Sequence, residues 1–196
     1  MAWIDIIRIT VVGTLLGLII GKVAAENPQY VKLMNPKYWI YSAKKATKEK
    51  WIRFISLSII FAGIAFFAVG YVSTIIASKF MLYSEEEYIF IEIAKISLPL
   101  LFATVTILPI LEEWIFRGII LEEISKWKNS KLLGLVLSSV IFALFHLSNP
   151  GTLPPAVIPL TLGGLILGVS YLKGGLATAA ASHSLYNFLL LLPLLF

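Results

Sequence analysis

The sequence contains no cysteine and only two histidines among its 196 residues. The missing thiols exclude disulfide bonds, cysteine nucleophiles and cysteine-based zinc or iron–sulfur sites. Charged side chains are also scarce, at 14%, whereas a soluble domain carries roughly 25%. Hydrophobic residues make up 59% of the chain. This composition excludes a disordered chain and argues against a water-soluble fold.

The hydrophobic residues occur in blocks whose length is typical of membrane spans, since a bilayer core is ~30 Å thick. We predict an all-α fold, a polytopic transmembrane helical bundle of about six spans that forms one integral membrane domain over residues 1–196. The third block is longer than one span and is expected to include an interfacial end. The predicted spans are Ile4–Ala24, Phe54–Ala77, Ile89–Leu121, Leu132–Leu147, Ala156–Leu172 and Leu176–Phe196.

The distribution of basic residues predicts the partners and the orientation. Lysines and arginines lie between the apolar blocks and form no stripe with exposed aromatic residues, so nucleic acid is not expected as a partner. Placing the first long loop, residues 26–51, in the cytoplasm puts thirteen basic residues inside and three outside, as the positive-inside rule favours. We therefore expect a multi-pass protein of the cell membrane. Aromatic residues among the lysines of this basic loop are typical of a segment that lies along lipid headgroups, so membrane lipids are expected partners.

Polar and ionisable side chains within the predicted spans cluster late in the chain. Such groups cost roughly 2.5–3.5 kcal/mol at the centre of a span and usually face a protein interior or a wet cavity. They lie in the third, fourth and sixth predicted spans. These residues are Glu112, Glu113, Arg117, His146, His183 and Asn187.

Helical spacing suggests how these side chains are arranged. Glu113 and Arg117 are four residues apart, which places them about 40° apart around a helix and allows an ion pair. Glu112 points away from that pair, so its carboxylate lacks the Arg117 partner and is more available than Glu113 to act as a base. His183 and Asn187 share one helix face by the same spacing. An imidazole and an amide are therefore expected one turn apart.

The depth of these residues in the membrane gives a second indication. Glu112, His146 and Asn187 lie 14, 15 and 14 residues from the nearest lysine expected on the inner side. At 1.5 Å per residue, all three lie roughly 21 Å from the lysine level, and His183 lies some 6 Å shallower. Three spans are therefore expected to bring polar groups into one layer.

Two kinds of hydrolytic chemistry suit such a layer. A carboxylate beside an imidazole can take a proton from water, and an imidazole with an amide can donate hydrogen bonds to the oxyanion of a tetrahedral intermediate. These groups suffice to hydrolyse a peptide bond without a covalent intermediate. The alternative is a metal-activated water with zinc bound by Glu112, His146 and His183.

Two functions outside proteolysis also fit these residues. A non-catalytic membrane protein, such as an immunity or scaffold protein, would keep the same fold for binding. A proton-coupled transporter would use the intramembrane carboxylates as proton carriers. A protease requires the four polar side chains to face one water, whereas a transporter requires a path that opens to each side in turn.

Three short motifs resemble those of the CPBP (Abi) intramembrane proteases, which are related to type II CAAX prenyl endopeptidases. Residues 112–117, E-E-W-I-F-R, resemble the family motif E-E-x-x-x-R. Residues 142–146, F-A-L-F-H, resemble the motif F-x-x-x-H, and residues 183–187, H-S-L-Y-N, resemble H-x-x-x-N. The motifs are complete and in order, so the resemblance indicates a catalytic core over residues 97–190.

The resemblance implies an intramembrane endopeptidase that acts on a membrane-associated peptide or protein. Glu112 and His146 would activate the water, and His183 and Asn187 would form the oxyanion hole. The family is often labelled as metalloproteases, but the mechanism accepted for the type II enzymes needs no metal, so no cofactor is expected. The implied supporting residues are Glu113, Arg117 and Phe142.

Overall fold

The computed structural model describes residues 2–80, 93–149 and 152–195. Within these ranges the chain is helical and contains no β-strand, which confirms the predicted all-α fold. A π-helical segment, Trp114–Leu121, joins α5 to α6, and a 3-10 turn, Pro154–Ala156, precedes α8. The α-helices are α1 (Ala2–Glu26), α2 (Pro28–Leu33), α3 (Pro36–Lys44), α4 (Lys48–Phe80), α5 (Leu98–Glu113), α6 (Glu122–Lys128), α7 (Lys131–His146) and α8 (Val157–Leu195).

Four helical stretches within the described ranges are long and apolar enough to cross a membrane. A fifth apolar helix, α7, has 16 residues and matches the predicted fourth span within one residue at each end. The chain is therefore a multi-pass membrane protein. The four long stretches are Ile6–Glu26, Lys48–Lys79, Leu98–Lys128 and Pro154–Leu192.

The last stretch is a hairpin of two arms, residues 157–174 and 176–195. Ser170 and Ser182 are hydrogen-bonded through their side-chain oxygens at 3.0 Å, whereas a straight helix would separate residues twelve apart by about 18 Å. The reversal occurs at Gly175, whose φ of 79° and ψ of −176° lie outside the helical region. The two arms correspond to the predicted fifth and sixth spans, so the prediction of about six spans holds.

The predicted third span, Ile89–Leu121, has different limits in the structure. Residues 81–92 lie outside the described ranges, and α5 begins only at Leu98, where the side chain of Ser97 accepts a hydrogen bond from the Leu100 amide. At the other end, the helix continues past Leu121 through α6 to Lys128. We call the continuous stretch Leu98–Lys128 the central rod. The pattern of apolar residues does not predict the π-helical segment in the middle of this stretch.

The predicted basic loop, residues 26–51, contains the two short helices α2 and α3. Tyr30 on α2 is buried, and its hydroxyl is hydrogen-bonded to Glu123 and Lys126 of α6. Burial, together with the hydrogen bond to Glu123, raises the pKa of Tyr30. The Trp114 indole donates to the Tyr30 carbonyl at 2.8 Å. These contacts fix the start of the segment to the central rod, whereas α3 contains no buried residue.

Two glycines allow the helices around the central rod to approach closely. A Cβ at Gly134 of α7 would lie 2.6 Å from the Leu121 carbonyl, and a Cβ at Gly164 would lie 3.1 Å from the Ser139 Cα. Both distances involve backbone atoms, which cannot move aside as flexible side chains do. The close approach at Gly164 brings the 157–174 arm against α7 and exposes a backbone carbonyl to the central rod.

Replacing Gly175 with alanine is expected to destabilise the hairpin. The backbone at this position lies in a region that is open essentially only to glycine, and other residues pay about 1–3 kcal/mol there. We expect Gly175→Ala to lower the melting temperature of the protein in detergent micelles. Gly70→Ala is the matched control, since Gly70 is helical and a Cβ there meets no atom within 4 Å. Equal melting temperatures for the two variants would contradict the strained reversal.

Candidate active site

A cavity of about 160 Å³ lies between α4, α5, α7 and both arms of α8. Glu112 of α5, His146 of α7, and His183 and Asn187 of the 176–195 arm all line it. The structure thus brings to one cavity the three side chains that the depth estimate placed in one layer, together with His183, which the estimate placed some 6 Å shallower. Apolar walls are provided by residues such as Val69, Leu108, Leu160 and Leu167.

The predicted ion pair between Glu113 and Arg117 is present and completely buried. Arg117 Nη1 donates to Glu113 Oε1 at 2.9 Å, and both side chains are 0% exposed. Arg117 Nη2 donates to the Gly164 carbonyl at 3.0 Å. The guanidinium carbon also lies 4.5 Å from the centre of the Phe142 ring, which is the geometry of a cation–π contact. Arg117 therefore ties α5, α7 and the 157–174 arm together.

The His183 imidazole lies between two carboxylates. Its Nδ1 is 2.8 Å from Glu113 Oε1, and its Nε2 is 3.7 Å from Glu112 Oε2. Because Glu113 is paired with Arg117 and accepts hydrogen bonds, Nδ1 carries the proton in this contact. The Nε2 atom faces Glu112 and the cavity. The sequence indicated the partner of Glu113 on its own helix, but not this contact between helices.

The orientation of His146 is set by its own helix. His146 Nδ1 is 2.8 Å from the Phe142 carbonyl, and a carbonyl can only accept, so Nδ1 is the protonated nitrogen and Nε2 holds the free lone pair of the neutral ring. The Phe142 ring lies 4.3 Å from the His146 ring and 6.0 Å from the His183 ring, measured between centroids. The Phe142 ring thus contacts both imidazole rings.

Polar residues that the sequence did not single out also line the cavity. These are Thr104 and Tyr186, together with Asn149 and Thr152, which lie beside the connection between α7 and α8. Thr104 lies eight residues before Glu112 and Tyr186 three residues after His183, so helical spacing from the predicted residues contained a signal for both. Asn149 and Thr152 follow no helical period, so the sequence contained no such signal for them.

The zinc alternative requires three donor side chains around one point. In the part of the chain that the structure describes, no group of three or more histidine and carboxylate side chains is compact enough to hold a metal ion. The Nδ1 atoms of His146 and His183 are already hydrogen-bonded. These hydrogen bonds do not exclude zinc, because a zinc-bound histidine commonly donates its other ring N–H to a carboxylate or a backbone carbonyl.

Comparison with known families identifies the segment that contains the cavity. Residues 94–189 match the family model for type II CAAX prenyl endopeptidase, Rce1-like. Through this segment the chain belongs to the Rce1-like family. The match covers about half of the chain and includes all three motifs, so the family supports a protease of the membrane in general terms. No curated protein and no solved structure matches the chain.

Removing one partner of the buried ion pair is expected to destabilise this Rce1-like protein strongly. Arg117→Ala leaves the Glu113 carboxylate buried without its cation, which typically costs about 3–5 kcal/mol. Lys128→Ala, the control, removes an exposed cation from the last turn of α6, where such a charge contributes about 0.3–1 kcal/mol. Thermal unfolding of both variants in micelles measures the difference. An unchanged melting temperature for Arg117→Ala would refute the structural role of the pair.

Proposed function

We propose that this Rce1-like protein is an intramembrane endopeptidase that hydrolyses a peptide bond of a membrane-associated substrate with a water activated by Glu112 and His146. The observation that supports it most directly is the shared cavity, in which a carboxylate, two imidazoles and an amide from three helices surround one small space. That combination supplies a base and oxyanion donors in a small cavity with mainly apolar walls, where electrostatic stabilisation is stronger than in bulk water.

Attack by water begins with proton transfer to the base. The Glu112 carboxylate takes one proton as the water oxygen bonds to the carbonyl carbon of the substrate. The free lone pair of His146 Nε2 accepts a hydrogen bond from the second proton and holds the water in line. Glu112 is 16% exposed, which leaves it open to the cavity.

The tetrahedral intermediate carries its charge on the former carbonyl oxygen. In the proposal, the Asn187 amide and the Nε2–H of His183 donate to this oxygen. Since Nδ1 of His183 already donates to Glu113, donation from Nε2 requires the doubly protonated imidazolium. The Glu112 and Glu113 carboxylates lie 3.7 and 2.8 Å from the two ring nitrogens of His183. As the C–N bond breaks, the proton on Glu112 passes to the leaving amine.

The Glu113–Arg117 pair supports the reaction without touching the substrate. Its carboxylate holds His183, and its guanidinium neutralises the charge that would otherwise be buried beside the oxyanion hole. Glu113 and Arg117 are therefore positioning residues. We also propose the orientation indicated by the basic residues, with the first long loop on the cytoplasmic side of the cell membrane.

The central test is Glu112→Gln, which removes the base and keeps the shape of the side chain. We expect a folded protein whose hydrolysis falls by about 10²–10⁴-fold, the usual contribution of a general base. Glu49→Gln, at a fully exposed position on α4, is the matched control. Comparing membrane peptides from cells that carry each variant by mass spectrometry identifies the substrate and measures its cleavage.

Near-normal cleavage by Glu112→Gln would eliminate the proposed mechanism. Identical membrane peptides in all strains, together with pH-dependent solute uptake that Glu112→Gln abolishes, would instead support the transporter alternative. Identical peptides without any uptake would support a non-catalytic immunity or scaffold protein. Whether cleaved substrates carry a prenyl group can be read from the mass of the same peptides.

Chelation tests the metal-free form of the proposal. We expect cleavage of the identified substrate to survive exhaustive treatment with 1,10-phenanthroline, because the base and the oxyanion donors are protein groups. A metal assay on the purified protein before and after treatment is the control that shows the chelator acted. Loss of cleavage that added zinc restores would replace this mechanism with a metal-activated water.

A further inference from the structure

Two adjoining cavities lie beneath α3, away from the catalytic cavity. The larger, about 730 Å³, extends between α3 and the 176–195 arm, and the smaller, about 650 Å³, opens at its side. We call them the groove and the lysine pocket. Both are lined in common by Tyr38, Ser42, Ala46 and Lys50.

The groove exists because α3 stands away from the bundle. None of the α3 residues is buried, although α3 is held to α2 by a hydrogen bond from the Trp39 indole to the Leu33 carbonyl. The walls beneath it are mainly apolar and include Trp39, Phe54, Leu176 and Ala181. Its volume lies within the roughly 300–1,000 Å³ of small-molecule sites.

The lysine pocket has an uncompensated positive charge. Among the residues that the structure describes, no carboxylate pairs with the four lysines that line it. Two of the ammonium groups instead lie over the rings of Tyr38 and Tyr41, at 5.3 and 4.5 Å from the centroids, which leaves their charge in place. The four residues are Lys32, Lys37, Lys45 and Lys50.

The groove is separate from the catalytic cavity. On α5, Thr104, Leu108 and Glu112 line the catalytic cavity, whereas Thr106 and Ile110 line the groove. The wall between them includes the hydrogen bond from the Ser184 hydroxyl to the Thr106 carbonyl at 3.3 Å. A ligand in the groove therefore lies behind the helices that present the catalytic residues.

We propose that the groove and the lysine pocket together bind one anionic glycerophospholipid, with an acyl chain in the groove and the phosphate headgroup among the lysines. An apolar cavity beside an unpaired cationic one complements an amphipathic anion. Tyr38 lines both cavities and Trp51 lines the groove, and such aromatic residues are typical of the interface between headgroups and acyl chains. The assignment does not depend on the proposed hydrolysis.

Lipid binding to the full-length protein, purified in detergent, tests this assignment. Native mass spectrometry would compare phosphatidylglycerol with phosphatidylcholine of identical acyl chains. Glycerol phosphate, added alone, separates a lipid site from a site for free phosphate. We expect phosphatidylglycerol to bind at least tenfold more tightly than phosphatidylcholine, and glycerol phosphate to bind far more weakly than either.

Two pairs of variants test the two halves of the site. Lys45→Gln with Lys50→Gln is expected to weaken phosphatidylglycerol binding about 25-fold, since each lysine contributes about fivefold, or about 1 kcal/mol. Lys44→Gln with Lys48→Gln is the matched control, as it removes the same charge outside the lysine pocket. It is expected to change binding less than threefold.

The groove is tested by filling it. Ala181→Phe is expected to weaken binding of phosphatidylglycerol at least fivefold, whereas Ile64→Phe, on an exposed face of α4, leaves it unchanged. If Ala181→Phe lowers the melting temperature, Ala177→Leu provides a smaller filling of the same groove. Equal binding of the two phospholipids, equal loss in both lysine pairs, or full binding by the filled variants would overturn the proposal. Glycerol phosphate binding as tightly as phosphatidylglycerol would overturn it as well.

Discussion

The site depends on one buried carboxylate, that of Glu113. Its Oε1 atom accepts from both Arg117 and His183, so a single oxygen joins the central rod to the last arm of the bundle. A charge at 0% exposure is tolerable only when its partners are fixed. Arg117 meets that requirement through the Gly164 carbonyl and the Phe142 ring. The positions of four helices are thereby coupled through one carboxylate and its two partners.

The two histidines have different hydrogen-bond partners, which favour different roles in the proposed mechanism. The Phe142 carbonyl fixes the tautomer of His146 so that a lone pair faces the cavity, whereas two carboxylates flank the two ring nitrogens of His183. Neither difference is visible in the residues themselves. In the proposed mechanism this difference separates the imidazole that binds water from the one that binds the oxyanion.

Much of this arrangement was predictable from the sequence, because polar groups are costly in lipid and must face inward. The cost explains why counting residues from the basic loops placed Glu112, His146 and Asn187 at one depth. It also explains why α7 was predicted within one residue at each end. The spacing of Glu113 and Arg117 predicted their pair because both lie on one helix.

Other features depend on contacts between helices, which spacing cannot supply. The contact of His183 with Glu113 joins residues 70 positions apart. The π-helical segment Trp114–Leu121 leaves the apolar pattern unchanged. The separation of α3 from the bundle also depends on packing. A segment rich in basic and aromatic residues predicts only that the segment contacts lipid headgroups.

The hairpin at Gly175 has a consequence for biosynthesis. The arm that bears His183 and Asn187 is translated after the rod that bears Glu112, and it turns back against the arm that supplies the Gly164 carbonyl. Until that turn closes, the Glu113 carboxylate lacks its hydrogen bond from His183 and the oxyanion donors are absent. In the proposed mechanism a nascent chain therefore holds a base but no means of stabilising the intermediate, and hydrolysis begins only once the final arm has entered the bilayer.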